Sequence, residues 1–239
     1  TVKIFQDLTQ KIRFSRAPVV AAPFHLTLGG GFEFIGPAAH RVALAELYIG
    51  AVEVGVGLIP GAGGNLRLLL NLIENSGKAG RLNIFPLVQK AFETIGFAKV
   101  ATSADEAKHI GYLLKTDTVV LNNDHRIWTA KQKAIELAEN YSPPEFRDDL
   151  KLPGAGGRTA MSMALKGFKA QGKISDHDEK IGKKLSYVLT GGDKAGLTKK
   201  VDEQYLLDIE REVFVSLAGE SLTQDRIRHM LKNGKPLRN

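Results

Sequence analysis

The sequence predicts an α/β core followed by an all-helical C-terminal region. Short β-rich runs, among them Pro18 to Ala22, Arg41 to Ala45 and Tyr48 to Val52, alternate with turns and helical segments up to about residue 141. Two glycine clusters, Gly29-Gly30-Gly31 and Gly61-Ala62-Gly63-Gly64, each stand just ahead of an apolar segment that reads as a helix. Beyond residue 157 the apolar positions recur at spacings of three and four, with no strand pattern.

In chain order, residues 1–14 read as an amphipathic helix with Val2, Phe5, Leu8 and Ile12 on one stripe. Pro18 to Ala22 follows as a short buried strand. The three glycines after it allow a tight turn and a close backbone approach, and Glu33 lies about one turn into the helix they open. The first amides of a helix are unpaired and partly positive. An oxygen that becomes negative during a reaction can be held there, with Glu33 beside it. The plainer reading, a tight turn followed by a solvated charge, stands next to this one.

Gly36-Pro37 interrupts the helix, because proline lacks the donor and disfavours helix in the residue before it. Glu46, between the next two strands, reads as a surface charge. His25 alternates with apolar neighbours as a pocket wall does; neither it nor His40 has a second ligand at metal-binding spacing. Glu53 precedes the second glycine cluster, which opens a buried helix through Leu66, Leu68, Leu69, Leu70 and Leu72. These glycines fit no nucleotide fingerprint. Gly55, Gly57 and Gly61 give G-x-G-x-x-x-G, and no Gly-Lys-Ser/Thr follows.

Residues 84–101 read as helix with Pro86 in the first turn, and Thr102 to Glu106 as a capped restart that stops at Gly111. Thr118 to Leu121 is a short β-rich piece, and Asp124 is expected to cap a helix running to about Asn140. Ser142-Pro143-Pro144 and Pro153 to Gly157 mark residues 142–157 as a linker. Helices are expected over about 158–171, 175–190, 201–218 and 222–232.

The composition, 43% hydrophobic and 25% charged over 239 residues, suits a soluble chain with a sizeable core. No apolar run approaches the roughly 20 residues of a membrane span. There is no cysteine, which excludes disulfides, thiolate zinc sites and cysteine nucleophiles and is consistent with a cytoplasmic protein. Five basic and four acidic residues lie in 1–64, so the net charge of +7 accumulates downstream. It comes without interleaved aromatics or a dense basic cluster, so nucleic acid is not an expected partner. The field would steer a polyphosphorylated ligand. A solvated surface with surplus lysine is the simpler account and is preferred to either.

Gly29-Gly30-Gly31-Phe32-Glu33, followed by Glu53-Val54-Gly55-Val56-Gly57-Leu58-Ile59-Pro60-Gly61-Ala62-Gly63-Gly64, resembles the two-part signature of the enoyl-CoA hydratase/isomerase (crotonase) superfamily. The twenty-residue step between Glu33 and Glu53 also fits the hydratases. Tyr205 to Glu212 and Leu222 to Asn239 resemble the hydratase half of bacterial fusions with 3-hydroxyacyl-CoA dehydrogenase.

The resemblance implies a crotonase-like ββα-spiral core over residues 1–141, lacking its first strands, and a helical region over 158–239 that closes the site and mediates subunit contacts. It implies hydration of 2-trans-enoyl-CoA, with Glu33 and Glu53 as catalytic carboxylates and the Gly30 amide in the oxyanion hole. Gly29, Gly31 and Gly61 would line the substrate. The partner is an acyl-CoA thioester, no cofactor enters hydration, and NAD belongs to an upstream dehydrogenase region. The second oxyanion donor would come from upstream sequence or another subunit, and a homo-oligomer is compatible. A Δ3,Δ2-enoyl-CoA isomerase and a non-catalytic acyl-CoA-binding or structural segment are the alternatives.

Overall fold

The computed structural model describes residues 1–77, 83–196 and 198–239. Helix α1 (Val2–Arg13) forms as its apolar spacing predicts, yet it packs the other way round. Gln6 and Thr9 are its buried residues, while Ile4 and Leu8 of the apolar side are exposed. Polar accounting explains the reversal. The Gln6 amide donates to the carbonyls of Gly61 and Leu207 at 2.9 and 2.8 Å, and the Thr9 hydroxyl lies 3.0 Å from that of Ala62. These carbonyls are cut off from water and need donors, which α1 supplies.

Strand β1 (Val20–Ala21) is shorter than the apolar run suggests and only half-buried. The strand that leads into the first glycine cluster is β2 (Leu26–Leu28). His25, just before it, is exposed with φ 51° and packs edge-on to Phe24, so it is no pocket wall. Helix α2 (Gly30–Ile35) ends on Gly36 as expected. Strands β3 (His40–Leu44) and β4 (Tyr48–Gly50) follow, with Glu46 exposed between them, then a 3-10 turn over Glu53–Val56 and helix α3 (Gly64–Asn75).

Helix α4 (Ile84–Gly96), capped by the Asn83 side chain, stops well before residue 101. Ala98 turns at φ 48°, and the chain beyond it bridges antiparallel to β4 through Ala101 and Ile49. Helix α5 (Ala104–Ile110) runs from its Ser103 cap to a left-handed Gly111, and strand β5 (Thr118–Val120) follows. Helix α6 (Asn123–Ala138) is capped by Asn122, whose side chain accepts from the Asp124 amide at 2.9 Å; Asp124 itself lies in the first turn. Helix α7 (Gly154–Ala170) takes Gly154 to Gly157 into its first turn. Helices α8 (Asp176–Leu189), α9 (Glu203–Ala218) and α10 (Ser221–Asn233) complete the C-terminal region near the expected bounds.

Among the described residues the strands form two parallel sheets, one in the order β1-β3-β5 and one pairing β2 with β4. Helix α3 is buried on all sides over Gly64 to Leu72 and packs against α2, α4, α8 and α9. The core around it runs from Phe32, Ile49 and Leu68 to Leu185, Leu206 and Leu217.

One buried ion pair locks α2 to the three-stranded sheet. Arg41 on β3 meets Asp117 at 2.8 Å and also donates to the carbonyl of Gly36, the C-terminal cap of α2, at 2.7 Å. Asp117 in turn accepts from the backbone of Arg41 and Leu114. Asp117→Ala leaves a buried guanidinium without its partner. It should lower the unfolding free energy by about 3–5 kcal/mol, read from the urea midpoint; an unmoved midpoint would count against this lock.

Candidate active site

Parallel pairing of β2 with β4 sets Leu28 opposite Gly50, so the two chain segments leave the sheet side by side. One continues into Gly29, whose amide donates to the Gly50 carbonyl at 2.7 Å, and then into α2 with Glu33. The other continues through Ala51 and Val52 to Glu53. The hydroxyl of buried Tyr112 fixes that second segment, accepting from the Ala51 amide at 3.0 Å and donating to the Lys99 carbonyl. Gly29 has φ 54°, and a Cβ built there would come 3.0 Å from Glu53 Oε1. A side chain at Gly29 would therefore both strain the backbone and crowd the carboxyl.

Glu33 and Glu53 open on one cavity of about 530 Å³. Gly30, Gly61, Ala62 and Phe214 line it, and Ile4, Phe5 and Leu8 of α1 form an apolar wall. A shallower groove of about 500 Å³, walled by Phe24, Leu26 and Phe34, shares Phe5 and Gly30 with this cavity. Gly31 lines the groove. The Gly30 amide is the first of α2, and no protein acceptor among the described residues takes it.

The two carboxyls sit in unlike surroundings. Glu33 is buried, and its Oε1 accepts from the amides of Ala62 and Gly64 at 2.7 and 2.9 Å. Gly64 has to be glycine, because a Cβ there would lie 2.9 Å from the same oxygen. Burial raises the proton affinity of Glu33, while the glycine-loop amides oppose the rise. Glu53 draws only on its own backbone amide and that of Val52. Its Oε2 is sealed from solvent without a donor, and burial followed by the charge of Glu33 pushes its pKa to about 8. At neutral pH Glu53 therefore holds its proton.

A third carboxyl was not expected from the sequence. Glu210 on α9 is fully buried and accepts from the Gly63 amide at 2.5 Å, the Asn65 amide at 3.1 Å and the Asn65 side chain at 2.9 Å. Its one sequence signal is its place on the buried stripe, between Leu206 and Val213. The described residues hold no cluster of metal-binding side chains, and His40 is tied to Thr118 at 2.9 Å. A smaller apolar cavity of about 270 Å³ lies behind Val54 and Gly55. Asp178, its lining acid, is engaged by Arg226 at 2.7 Å.

No family model matches the chain. It is 46% identical, over its whole length, to a protein of Bacillus subtilis strain 168 described as a probable 3-hydroxyacyl-CoA dehydrogenase, of which it spans 29%. It is 30% identical over 55% of its length to a short-chain-enoyl-CoA hydratase of Clostridium acetobutylicum, covering 43% of that protein. In structure it aligns over 95% of its length with 66% of an enoyl-CoA hydratase from Bacillus halodurans, with a TM-score of 0.54 at 16% identity. The fold is thus crotonase-like, a mixed α/β core with a helical C-terminal region.

The sealed Glu53 carboxyl has a measurable consequence for stability. Its folded-state pKa of about 8 stands above the ordinary 4.5, so the folded chain binds the extra proton between those values. Stability from this group is complete below about pH 4.5 and is lost as pH rises through about 8. Burial gives Glu33 and Glu210 a slope of the same sign. Glu53→Gln should flatten part of that slope and leave the variant more stable than the parent at pH 8.5, on the order of 1–3 kcal/mol by denaturant titration. Equal pH dependence in both proteins would place the Glu53 carboxyl in water.

Proposed function

We infer that this chain, crotonase-like in fold and similar in sequence to part of a 3-hydroxyacyl-CoA dehydrogenase, is the enoyl-CoA hydratase portion of a longer fatty-acid β-oxidation polypeptide. It adds water syn across a 2-trans-enoyl-CoA to give a 3-hydroxyacyl-CoA. The observation that carries the reading is the meeting of two carboxyls at one cavity, Glu33 held by the glycine-loop amides and Glu53 with its Oε2 sealed off without a donor.

On this reading the thioester carbonyl lies at Gly30, where cavity and groove meet, and the Gly30 amide donates to the oxygen as it gains enolate charge. Gly29 and Gly31 let the substrate approach the backbone, and Gly61 borders it. Water sits between the carboxyls. Glu33 takes a proton from the water as its oxygen bonds to the β-carbon, and the displaced π electrons pass toward the thioester oxygen. Glu53, kept protonated by burial, gives its proton to the α-carbon as the enolate collapses. Return of the proton from Glu33 to Glu53 restores the starting state.

A second amide donor to the enolate oxygen would come from another part of the polypeptide or from another subunit. Loss of one such donor costs about 100- to 1,000-fold in turnover, so full activity belongs to the complete protein. The dehydrogenase suggested by the description of the Bacillus subtilis relative would use NAD and oxidise the hydration product in a separate region of the polypeptide. Hydration itself calls for no cofactor. A cytoplasmic location and a homo-oligomer are part of this proposal. Among the described residues, no helix is long and apolar enough to cross a membrane.

The test uses the complete protein and crotonyl-CoA. Glu53→Gln and Glu33→Ala should each lower kcat by about 100- to 10,000-fold while the circular dichroism spectrum stays that of the parent. Wild-type turnover in either variant removes that carboxyl from the mechanism.

A further inference from the structure

We infer that Glu210 is a positioning residue for the hydration step, fixing from the far side the glycine loop whose Ala62 and Gly64 amides hold Glu33. The inference rests on the hydratase reading. Its basis is an alternation in the loop. The amides of Ala62 and Gly64 go to Glu33 Oε1, and those of Gly63 and Asn65 go to Glu210 Oε1 and Oε2. Successive amides thus point to opposite sides, and each side ends on a buried carboxyl. A rotation of the loop that lengthens one set of bonds disturbs the other, so Glu210 governs where the donors of Glu33 stand.

A carboxyl this deep in the C-terminal bundle is expensive unless its oxygens are matched. Three donors match it, and the positive end of α3 adds to them. Both Glu210 oxygens face donors from the start of α3. Burial, with the charge of Glu33 next, pushes the Glu210 pKa up to about 8, so near neutral pH Glu210 holds a proton and Glu33 keeps the charge that a base needs.

Few other charges intrude. Glu33 on α2 is the ionisable group that acts on Glu210 electrostatically, with Glu53 of the 3-10 turn beyond it. Arg211, beside Glu210 on α9, turns to Gln6 and Asp208. Arg67 of α3 faces Arg13, Arg41, Glu203 and Glu74.

The experiment compares Glu210→Gln, which replaces one acceptor oxygen by an amide donor, with Glu210→Asp, which keeps the carboxyl on a shorter arm, in the complete protein hydrating crotonyl-CoA. Glu210→Gln should lower kcat by about 10- to 100-fold with KM within about twofold. It should also move the acidic limb of the kcat/KM profile up by about one pH unit, because a displaced loop withdraws the Ala62 and Gly64 amides that favour the Glu33 carboxylate. Glu210→Asp should lower kcat and move the limb in the same direction by less. A wild-type limb in folded Glu210→Gln overturns the inference, since a mere strut would not move it.

If Glu210→Gln does not fold, a wild-type limb in Glu210→Asp overturns the inference, and a lowered kcat with a raised limb supports it. An inactive wild-type protein sinks the hydratase reading and this inference together. An active one with unaffected Glu210 variants sinks this inference alone.

Discussion

Four consecutive amides, those of Ala62, Gly63, Gly64 and Asn65, lead into α3, whose first nine residues are buried. They have no partners within the helix, and they lie buried. Their hydrogen bonds must come from side chains, and Glu33 and Glu210 provide them from opposite sides. The requirement ties the cavity that holds the two glutamates to the core. Helix α3 cannot sit at the centre of the packing unless carboxylates are buried at its start, and burying them alters their acid–base behaviour.

The carbonyls of the same loop impose a matching demand on α1. Gln6 and Thr9 turn inward to meet Gly61, Ala62 and Leu207, which rotates the apolar side of the helix outward. That outward side is not idle, since Ile4, Phe5 and Leu8 wall the cavity in which the two glutamates meet. An apolar wall beside two carboxyls keeps the local dielectric low and magnifies the difference between them. Amphipathic spacing shows that α1 has two faces. Which face turns inward depends on the hydrogen-bonding needs of a loop some fifty residues later.

Two acids within one cavity are useful only if they hold their protons unequally. Glu33 receives two amide bonds and Glu53 none at its sealed oxygen, so the extra proton favours Glu53. The asymmetry originates in backbone placement. Glu33 lies one turn into α2, against the start of α3, whereas Glu53 opens a 3-10 turn at the end of β4. Side-chain identity alone would make the two alike.

Much of this was legible in the residue order. Leucine spacing, glycine turns and the Ser103 cap predict α3, α2 and α5, and beyond the linker the three-and-four periodicity predicts α7 to α10. Those signals are local, because a helix face or a turn is set by residues within a few positions of one another. The two glutamates and their glycine clusters were also visible as a pattern. The burial of Gln6 and Thr9, the exposure of His25 and the cap at Asn122 were not. Nor was the arrival of Glu210 across 147 residues at the Gly63 amide. Such contacts depend on which unpaired backbone groups the fold leaves inside and which distant side chains reach them, and that information exists only once the chain has closed on itself.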